Sequence, residues 1–356
     1  MNSIKINNRS IGNDHQAYII AEMSANHSQD YDRAVKILEA AKKAGADAIK
    51  LQTYTPDTLT IDCDNEYFKI SDTIWRGKTL YDLYGEAYTP WEWHRDLKDV
   101  ADGLGLDFFS TAFDSTAVEF LDKIGVPAFK IASFENIDML LLKEVACTGK
   151  PIIISTGMAS FEEISDAVNT VRENGNNQIA LLKCTSAYPA IPAEANLKTI
   201  PHMAEAFNTP VGLSDHTTGV IMPAVAVTLG ACIIEKHFTI SRKDPGPDST
   251  FSLEPEEFKN MVEGVRQAEE ALGTISYEQT EKEKESSVFR RSLFVVKDIK
   301  RGESLTEENV RAIRPGYGLL PKYLDKVLGC RAACDIKRGT PIKWDQLMGS
   351  DNDSNN

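Results

Sequence analysis

Val211-Gly212-Leu213-Ser214-Asp215-His216, then the Ala/Val-rich segment 220–229, then Cys232-Ile233-Ile234-Glu235-Lys236-His237 form the stretch whose reading decides the fold. Each apolar run reads as a parallel strand with both faces covered, because it lacks polar alternation. Segment 220–229 suits a packed crossover helix between them. Two successive parallel strands that each deliver an imidazole at the C-terminal end aim both rings at one mouth. Neutral imidazoles with open positions beside them suit a divalent transition metal such as Mn, Fe, Co or Zn. His216 and His237 are therefore candidate metal ligands. The competing reading is two unrelated polar strand ends.

Strand-like runs recur upstream at 17–21, 46–51, 108–111, 128–133, 152–156 and 179–185. Amphipathic segments separate them: one begins at Asp30 or Asp32, one spans 90–104 with Thr89 as its cap, and others span 116–124, 139–147, 161–174 and 197–207. Gly45, Gly125, Gly149 and Gly230 mark helix ends. With 255–272 as the last helix, the pattern gives eight β–α units by Gly273, the signature of a closed (β/α)8 barrel. A doubly wound open sheet is the alternative, but no Gly-rich phosphate turn follows the first strand. The predicted division is a barrel domain over 1–274, a charged and solvated linker over 275–289, a small β-rich domain over 290–349, and a disordered polar tail over 350–356. The small domain carries an internal echo, Lys297-Asp298-Ile299-Lys300-Arg301-Gly302 against Cys334-Asp335-Ile336-Lys337-Arg338-Gly339. At about 60 residues it is small for an independent core and should lean on something. Residues 54–88 read as one long aromatic-rich insertion, either a lid or substrate wall or plain surface packing.

A net charge of −14 argues against a nucleic-acid partner or an anionic membrane. No apolar run reaches the roughly 18 residues of a membrane span, and the N-terminus lacks a signal-peptide pattern. Of six cysteines, Cys147, Cys184 and Cys232 lie in apolar segments, as expected of reduced core thiols in a cytoplasmic protein. In a barrel, chemistry sits where the strands finish. Here they finish on Glu22, Lys50 with Gln52, Ser110 with Thr111, Lys130 with Ser133, Ser155 with Thr156, Lys183 with Thr185 and Ser186, Ser214 with His216, and Glu235 with His237. Ser155-Thr156 could merely cap the next helix, but an inert scaffold would not need polar groups at all eight ends. Lys50 and Lys130, with Thr111, Ser133, Ser186 and Ser214, could hold a small phosphorylated carboxylate. Glu22, Glu135 and Asp248 are carboxylates placed to grip hydroxyls or move protons, and two prolines stiffen the loop before Asp248.

These residues resemble a known family, the sialic acid synthases, which are phosphoenolpyruvate-dependent nonulosonate synthases. The resemblance runs through Ile20-Ala21-Glu22 with Asn26-His27, Ile49-Lys50-Leu51-Gln52-Thr53, Phe129-Lys130-Ile131-Ala132-Ser133, Ser155-Thr156-Gly157-Met158, Lys183-Cys184-Thr185, Gly212-Leu213-Ser214-Asp215-His216 and Ile234-Glu235-Lys236-His237-Phe238-Thr239. It continues into Ser252-Leu253-Glu254-Pro255 and Phe289-Arg290-Arg291-Ser292-Leu293. It implies a (β/α)8 TIM barrel followed by an antifreeze-like (SAF) domain, in a domain-swapped homodimer where one subunit's SAF domain covers the other's site. By the same resemblance His216 and His237 would bind a divalent metal, typically Mn, with Mg, Co or Fe as alternatives. Lys50, Thr111, Lys130, Ser133 and Ser214 would hold phosphoenolpyruvate, with Ser186 where sialic acid synthases carry Asn. Glu22, Gln52, Tyr188 and Asp248 match sugar-side positions, Glu135 a carboxylate near the reacting centre, and Arg314, in Arg314-Pro315-Gly316, an arginine that reaches the acylamino sugar.

The implied reaction is a condensation of phosphoenolpyruvate with an acetamido-deoxy aldose, with Glu22, Glu135 and His237 as catalytic residues. Runs such as Met23-Ser24-Ala25-Asn26-His27 and Ala132-Ser133-Phe134-Glu135-Asn136 favour the branch acting on 2,4-diacetamido-2,4,6-trideoxy-L-altrose. Rival readings are another nonulosonate synthase, a Schiff-base aldolase on Lys130 or Lys236, a metal hydrolase, and a noncatalytic sugar-acid binding protein.

Overall fold

The computed structural model describes residues 3–71, 74–244 and 246–349, in two compact units, 1–273 and 274–356. The expected disorder of 350–356 falls outside the described residues.

A short hairpin that the sequence reading did not anticipate comes first. Ile4–Ile6 (β1) and Arg9–Ile11 (β2) pair antiparallel, turning at Asn7, whose φ is 50°. Asn7 Nδ2 donates to Asp107 Oδ1 at 2.5 Å, and Arg9 pairs with Asp47. The barrel strands follow: Tyr18–Glu22 (β3), Ala48–Thr53 (β4), Asp107–Ala112 (β5), Phe129–Ile131 (β6), Ile152–Ser155 (β7), Ile179–Cys184 (β8), Val211–Asp215 (β9) and Ile233–His237 (β10). All are parallel and in sequential order, and β10 pairs back onto β3, so the sheet closes as the sequence pattern predicts. Gly212 permits the β9–β10 contact, since a Cβ there would lie 2.3 Å from the Ile233 carbonyl oxygen.

The two faces of each strand diverge although both are buried, because successive side chains alternate. Lys236, between Glu235 and His237, faces the outer layer, where its Nζ meets Asp215 Oδ2 and the Thr217 carbonyl, each at 2.5 Å. It does not serve the mouth, which removes it as a Schiff-base lysine. Lys183 likewise lines a cavity on the outer flank, whereas Cys184 meets His216. Lys183 is thus not one of the strand-end groups at the mouth.

Helix starts follow capping chemistry. Asp30, Asp114, Asp138 and Ser160 accept from the first-turn amides of Tyr31–Lys43, Ser115–Lys123, Met139–Cys147 and Phe161–Glu173. Two capping possibilities raised by the sequence do not hold. Thr89 caps nothing: the helix begins at Trp93, because Pro90 to Glu92 make a turn first, and the buried Thr89 hydroxyl bonds His27 Nε2 at 3.1 Å. Ser155-Thr156 does not cap the next helix, a role Ser160 takes. The insertion over 54–88 is not one irregular loop. It holds helices Pro56–Leu59 and Leu80–Ala87, each opened by a threonine capping box. Cys147 ends a helix and is exposed, while Cys184 and Cys232 are buried, and all six cysteines are free. His27 and His94 are structural: His94 Nε2 meets Thr53 Oγ1 at 2.8 Å, and burial above all pushes both rings down to about 4.

In the second unit, 281–286 is a short exposed helix within the charged segment. Ser292–Val295 (β11) pairs with Val310–Ile313 (β12), and Arg331–Ala332 (β13) with Leu347–Met348 (β14), around a core that includes Leu293, Ile299, Val310, Ile336 and Ile342. The echoed hexapeptides embrace one another. Ile299 and Ile336 exchange backbone hydrogen bonds at 2.9 and 2.8 Å. Asp335 accepts from Arg301 N (2.9 Å) and Lys300 Nζ (3.0 Å), while Asp298 accepts from Arg338 N (2.8 Å) and Lys337 Nζ (2.9 Å). The sequence repeat is a local pseudo-twofold.

Candidate active site

Strand parity collects the mouth. Glu22, Lys50, Gln52, Thr111, Lys130, Ser155, Cys184, Ser214 and Glu235 meet one another or the histidine pair at the C-terminal ends of the strands, joined by His216 just beyond β9 and by His237. Register sets Glu22 between His237 and Lys50, Thr111 between Gln52 and Lys130, and Ser214 between Cys184 and Glu235.

The centre is a buried charge quartet. Lys50 Nζ lies 2.7 Å from Glu22 Oε2, 3.5 Å from Glu235 Oε1 and 3.2 Å from Thr111 Oγ1. Lys130 Nζ donates to Ser155 Oγ (2.7 Å) and the Ile131 carbonyl (2.9 Å), and lies 3.8 Å from Glu235 Oε1. Ser214 Oγ donates to the same carboxylate oxygen at 3.1 Å. Glu235, which the sequence reading names as a strand end without assigning it a role, is therefore its hub. Its position two residues before His237 was the available signal, since that spacing puts both on one face. Burial opposes every charge here, and the partners decide the outcome. Lys130 and Lys50 hold Glu235 below its usual range, Glu22 and Glu235 raise Lys50, and burial dominates at Glu22, which is raised, and at Lys130, which falls to about 8.

On one side Ser133 Oγ accepts from Gly157 N at 3.0 Å. A Cβ on Gly157 would sit 2.1 Å from Ser186 Oγ and 2.7 Å from Ser133 Oγ, so both hydroxyls crowd one spot that only glycine leaves open. Gly157→Ala is expected to displace them and raise KM for the anionic substrate about tenfold, the loss of one good hydrogen bond to a charge. Thermal unfolding should shift little, and an unchanged KM would show that these hydroxyls do not touch substrate. On the other side Gln52 Nε2 bonds Glu22 Oε1 (3.2 Å) and Ser24 Oγ (2.9 Å), and Ser24 donates to Asp248, which also accepts from Ala25 N at 3.4 Å. Pro245, one of the two prolines of that loop, is outside the described residues. Glu135 is raised to about 7, chiefly by burial.

Above the quartet the His216 and His237 rings lie 5.4 Å apart, and Tyr188 covers them at 4.3 and 6.2 Å. Trp75 of the insertion reaches Tyr188 (5.9 Å), and its indole N–H donates to the Pro247 carbonyl at 2.9 Å. His216 Nδ1 meets the Thr185 carbonyl at 3.0 Å, which fixes the ring and turns Nε2 away from that bond. Burial and then His216 push His237 well below its ordinary value, so it stays neutral. His237 Nδ1, Glu135 Oε2 and Glu235 Oε2 are buried without a hydrogen-bond partner among the described residues, as expected where a guest completes the site. Among the described residues no three His, Cys, Asp or Glu side chains form a metal-holding group. A cation here would have two protein ligands and take the rest of its shell from substrate or water, and the paired imidazoles fit that. Arg314 lies in the second unit, exposed, after β12 and before a cis proline.

Fold and mouth together define a (β/α)8-barrel protein whose strand ends suit a small dianion beside a two-histidine cation site. The chain belongs to the NeuB family, whose model matches residues 37–277, and it carries an SAF domain over 290–348. It is 47% identical to pseudaminic acid synthase of Campylobacter jejuni (94% of this chain, 98% of the relative) and 45% identical to that of Helicobacter pylori (93% and 98%). Its structure is similar to that of an N-acetylneuraminic acid (sialic acid) synthetase from Leptospira borgpetersenii, with TM-score 0.71 and 32% identity over 80% of this chain and 95% of that one.

Proposed function

We propose that the chain is a pseudaminic acid synthase. It would condense phosphoenolpyruvate with 2,4-diacetamido-2,4,6-trideoxy-L-altrose and water to give pseudaminic acid and inorganic phosphate. The near-full-length similarity to the Campylobacter jejuni enzyme carries this reading. The mouth supports it with two buried lysines for a phosphorylated carboxylate and a polar rim at Glu22, Gln52 and Asp248 for a polyol. Lys50 and Lys130 anchor the two anionic groups, and Ser133, Ser186, Thr111 and Ser214 orient them. C3 of phosphoenolpyruvate bonds to the aldehyde carbon, whose oxygen takes up a proton. Water then adds at C2, and the C2–O bond breaks so that phosphate leaves with the bridging oxygen. His216 and His237 would hold a divalent cation, Mn first, with Mg, Co or Fe as alternatives. When bound, it supplies Lewis acidity toward the aldehyde.

Glu135, titrating near 7, holds the proton given to the departing phosphate. The acid form prevails below that value, so kcat should fall as pH rises through about 7. Glu135→Gln should abolish that limb along with most activity, and a limb that survives would remove Glu135 from the proton path. The aromatic wall of Trp75, Tyr188 and Phe251 suits the apolar C6 methyl and acetamido methyls. In the same reading Arg314 reaches the acylamino sugar of a partner subunit in a domain-swapped homodimer.

Phosphate release from phosphoenolpyruvate with a panel of hexosamine-derived aldoses and Mn tests the assignment. The L-altro 2,4-diacetamido sugar should be preferred. Preference for N-acetylmannosamine or the legionaminic precursor would move the chain to a sister activity.

A further inference from the structure

We propose a second anion site on the outer flank of the barrel, separate from the mouth, that takes a phosphate dianion carried by a small organic body. A cavity of about 520 Å³ opens there between helices Phe161–Glu173 and Thr199–Phe207, beyond the ends of β7 and β8. Strand parity makes it separate. Ser155 and Cys184 face the mouth, so their neighbours Thr156 and Lys183 face outward and line the cavity. Lys198 joins them from the turn before the second helix, and Thr199 adds a hydroxyl.

Two features make this more than a gap between helices. Lys183 is half-buried, yet among the described residues its Nζ meets only the Cys184 carbonyl, at 2.8 Å, and no carboxylate. Burial pushes its proton affinity down, as happens to a cation that lacks a counter-ion. Lys198, which is exposed, lines the same cavity and enters no ion pair among the described residues. Two unpaired ammonium groups on one cavity match a doubly charged anion rather than a single carboxylate. Ala159, Ile164, Leu197 and Met203 give the lining an apolar share, and the volume far exceeds a bare phosphate. That combination of a cationic end and an apolar flank fits the head and body of a phosphomonoester.

Equilibrium dialysis of the full chain against radiolabelled inorganic phosphate tests this. Wild type should bind two phosphates per chain, one in the mouth and one in the outer cavity. Lys198→Met should raise the outer dissociation constant about tenfold or more, the loss of one charge-assisted contact, and leave kcat/KM for phosphoenolpyruvate unchanged. Lys183→Met should weaken the same site, whereas Lys130→Met should remove the mouth phosphate and keep the outer one. Displacement of the outer phosphate by glucose 6-phosphate at lower concentration than by phosphate would support a monoester as occupant. Equal displacement would support the free ion at the same site. A wild-type chain binding a single phosphate that Lys130→Met abolishes would overturn the proposal and leave the reading of the mouth intact. Undiminished outer binding in both Lys183→Met and Lys198→Met would also overturn it.

Discussion

Replacing Lys130 with methionine is expected to lower kcat/KM for phosphoenolpyruvate by about thirtyfold to a few thousandfold while the chain stays folded. Lys130 is fully buried and spends its hydrogens on Ser155 Oγ and the Ile131 carbonyl, with the hub carboxylate of Glu235 at 3.8 Å. Truncating one partner of a buried, hydrogen-bonded charge pair costs about 2–5 kcal/mol of binding, and about 1.4 kcal/mol is a factor of ten. The fold should tolerate the loss because Glu235 keeps Lys50 at 3.5 Å and the Ser214 hydroxyl at 3.1 Å. Lys50→Met should differ in kind. Lys50 bridges Glu22 on the sugar side and Glu235 on the anion side, so KM for both substrates should rise, against one for Lys130→Met. Steady-state kinetics with each substrate varied, alongside thermal unfolding, separates the cases. A Lys130→Met enzyme with an unchanged KM for phosphoenolpyruvate would refute the anion assignment.

The second large effect is expected at the histidine pair. If the pair holds Mn as proposed, His216→Ala or His237→Ala should weaken Mn binding by more than the about 10–100-fold that loss of an outer-shell partner costs. Electron paramagnetic resonance titration of free Mn reads this without any turnover. The pH dependence of Mn affinity is a second test. Burial opposes charge on His216, but the Cys184 sulfur and the Thr185 carbonyl outweigh it and raise its pKa above the ordinary value. Only the neutral ring can ligate. Mn affinity should therefore be full above that raised pKa and fall as pH drops through it, while His237, already held neutral, adds nothing to the slope. Mn affinity that both alanine variants leave unchanged would dissolve the site.

The architecture was legible because short apolar runs such as Val211 to Leu213 and Ile233 to Ile234 alternate with longer amphipathic segments, and their length reads as strand rather than helix. Their apolar character hid the parity of those strands. When both faces are apolar, a run does not announce which residues turn inward, so Lys183 and Lys236 read like mouth residues, and Glu235, though named as a strand end, received no role. Alternation counted backward from His237 distinguishes Glu235 from Lys236. The N-terminal hairpin was invisible for another reason. Ile4–Ile6 and Arg9–Ile11 are three residues each, too short for any periodicity to emerge. Thr89 misled because it precedes a proline and an amphipathic run, a start signal, but a turn over Pro90 to Glu92 intervenes and the hydroxyl is spent on His27. Ser133 and Ser186 group as strand ends in the sequence, but no spacing in the chain foretells that Gly157 sits against both hydroxyls.

One measurement addresses the reaction itself. Phosphoenolpyruvate carrying oxygen-18 at the C–O–P bridge is incubated with the enzyme, Mn and the 2,4-diacetamido-2,4,6-trideoxy-L-altrose substrate, and the products are read by mass spectrometry. The heavy oxygen should appear entirely in inorganic phosphate, with the C2 oxygen of the nonulosonate drawn from water. Heavy oxygen retained in the nine-carbon product, or pyruvate released without condensation, would contradict the account.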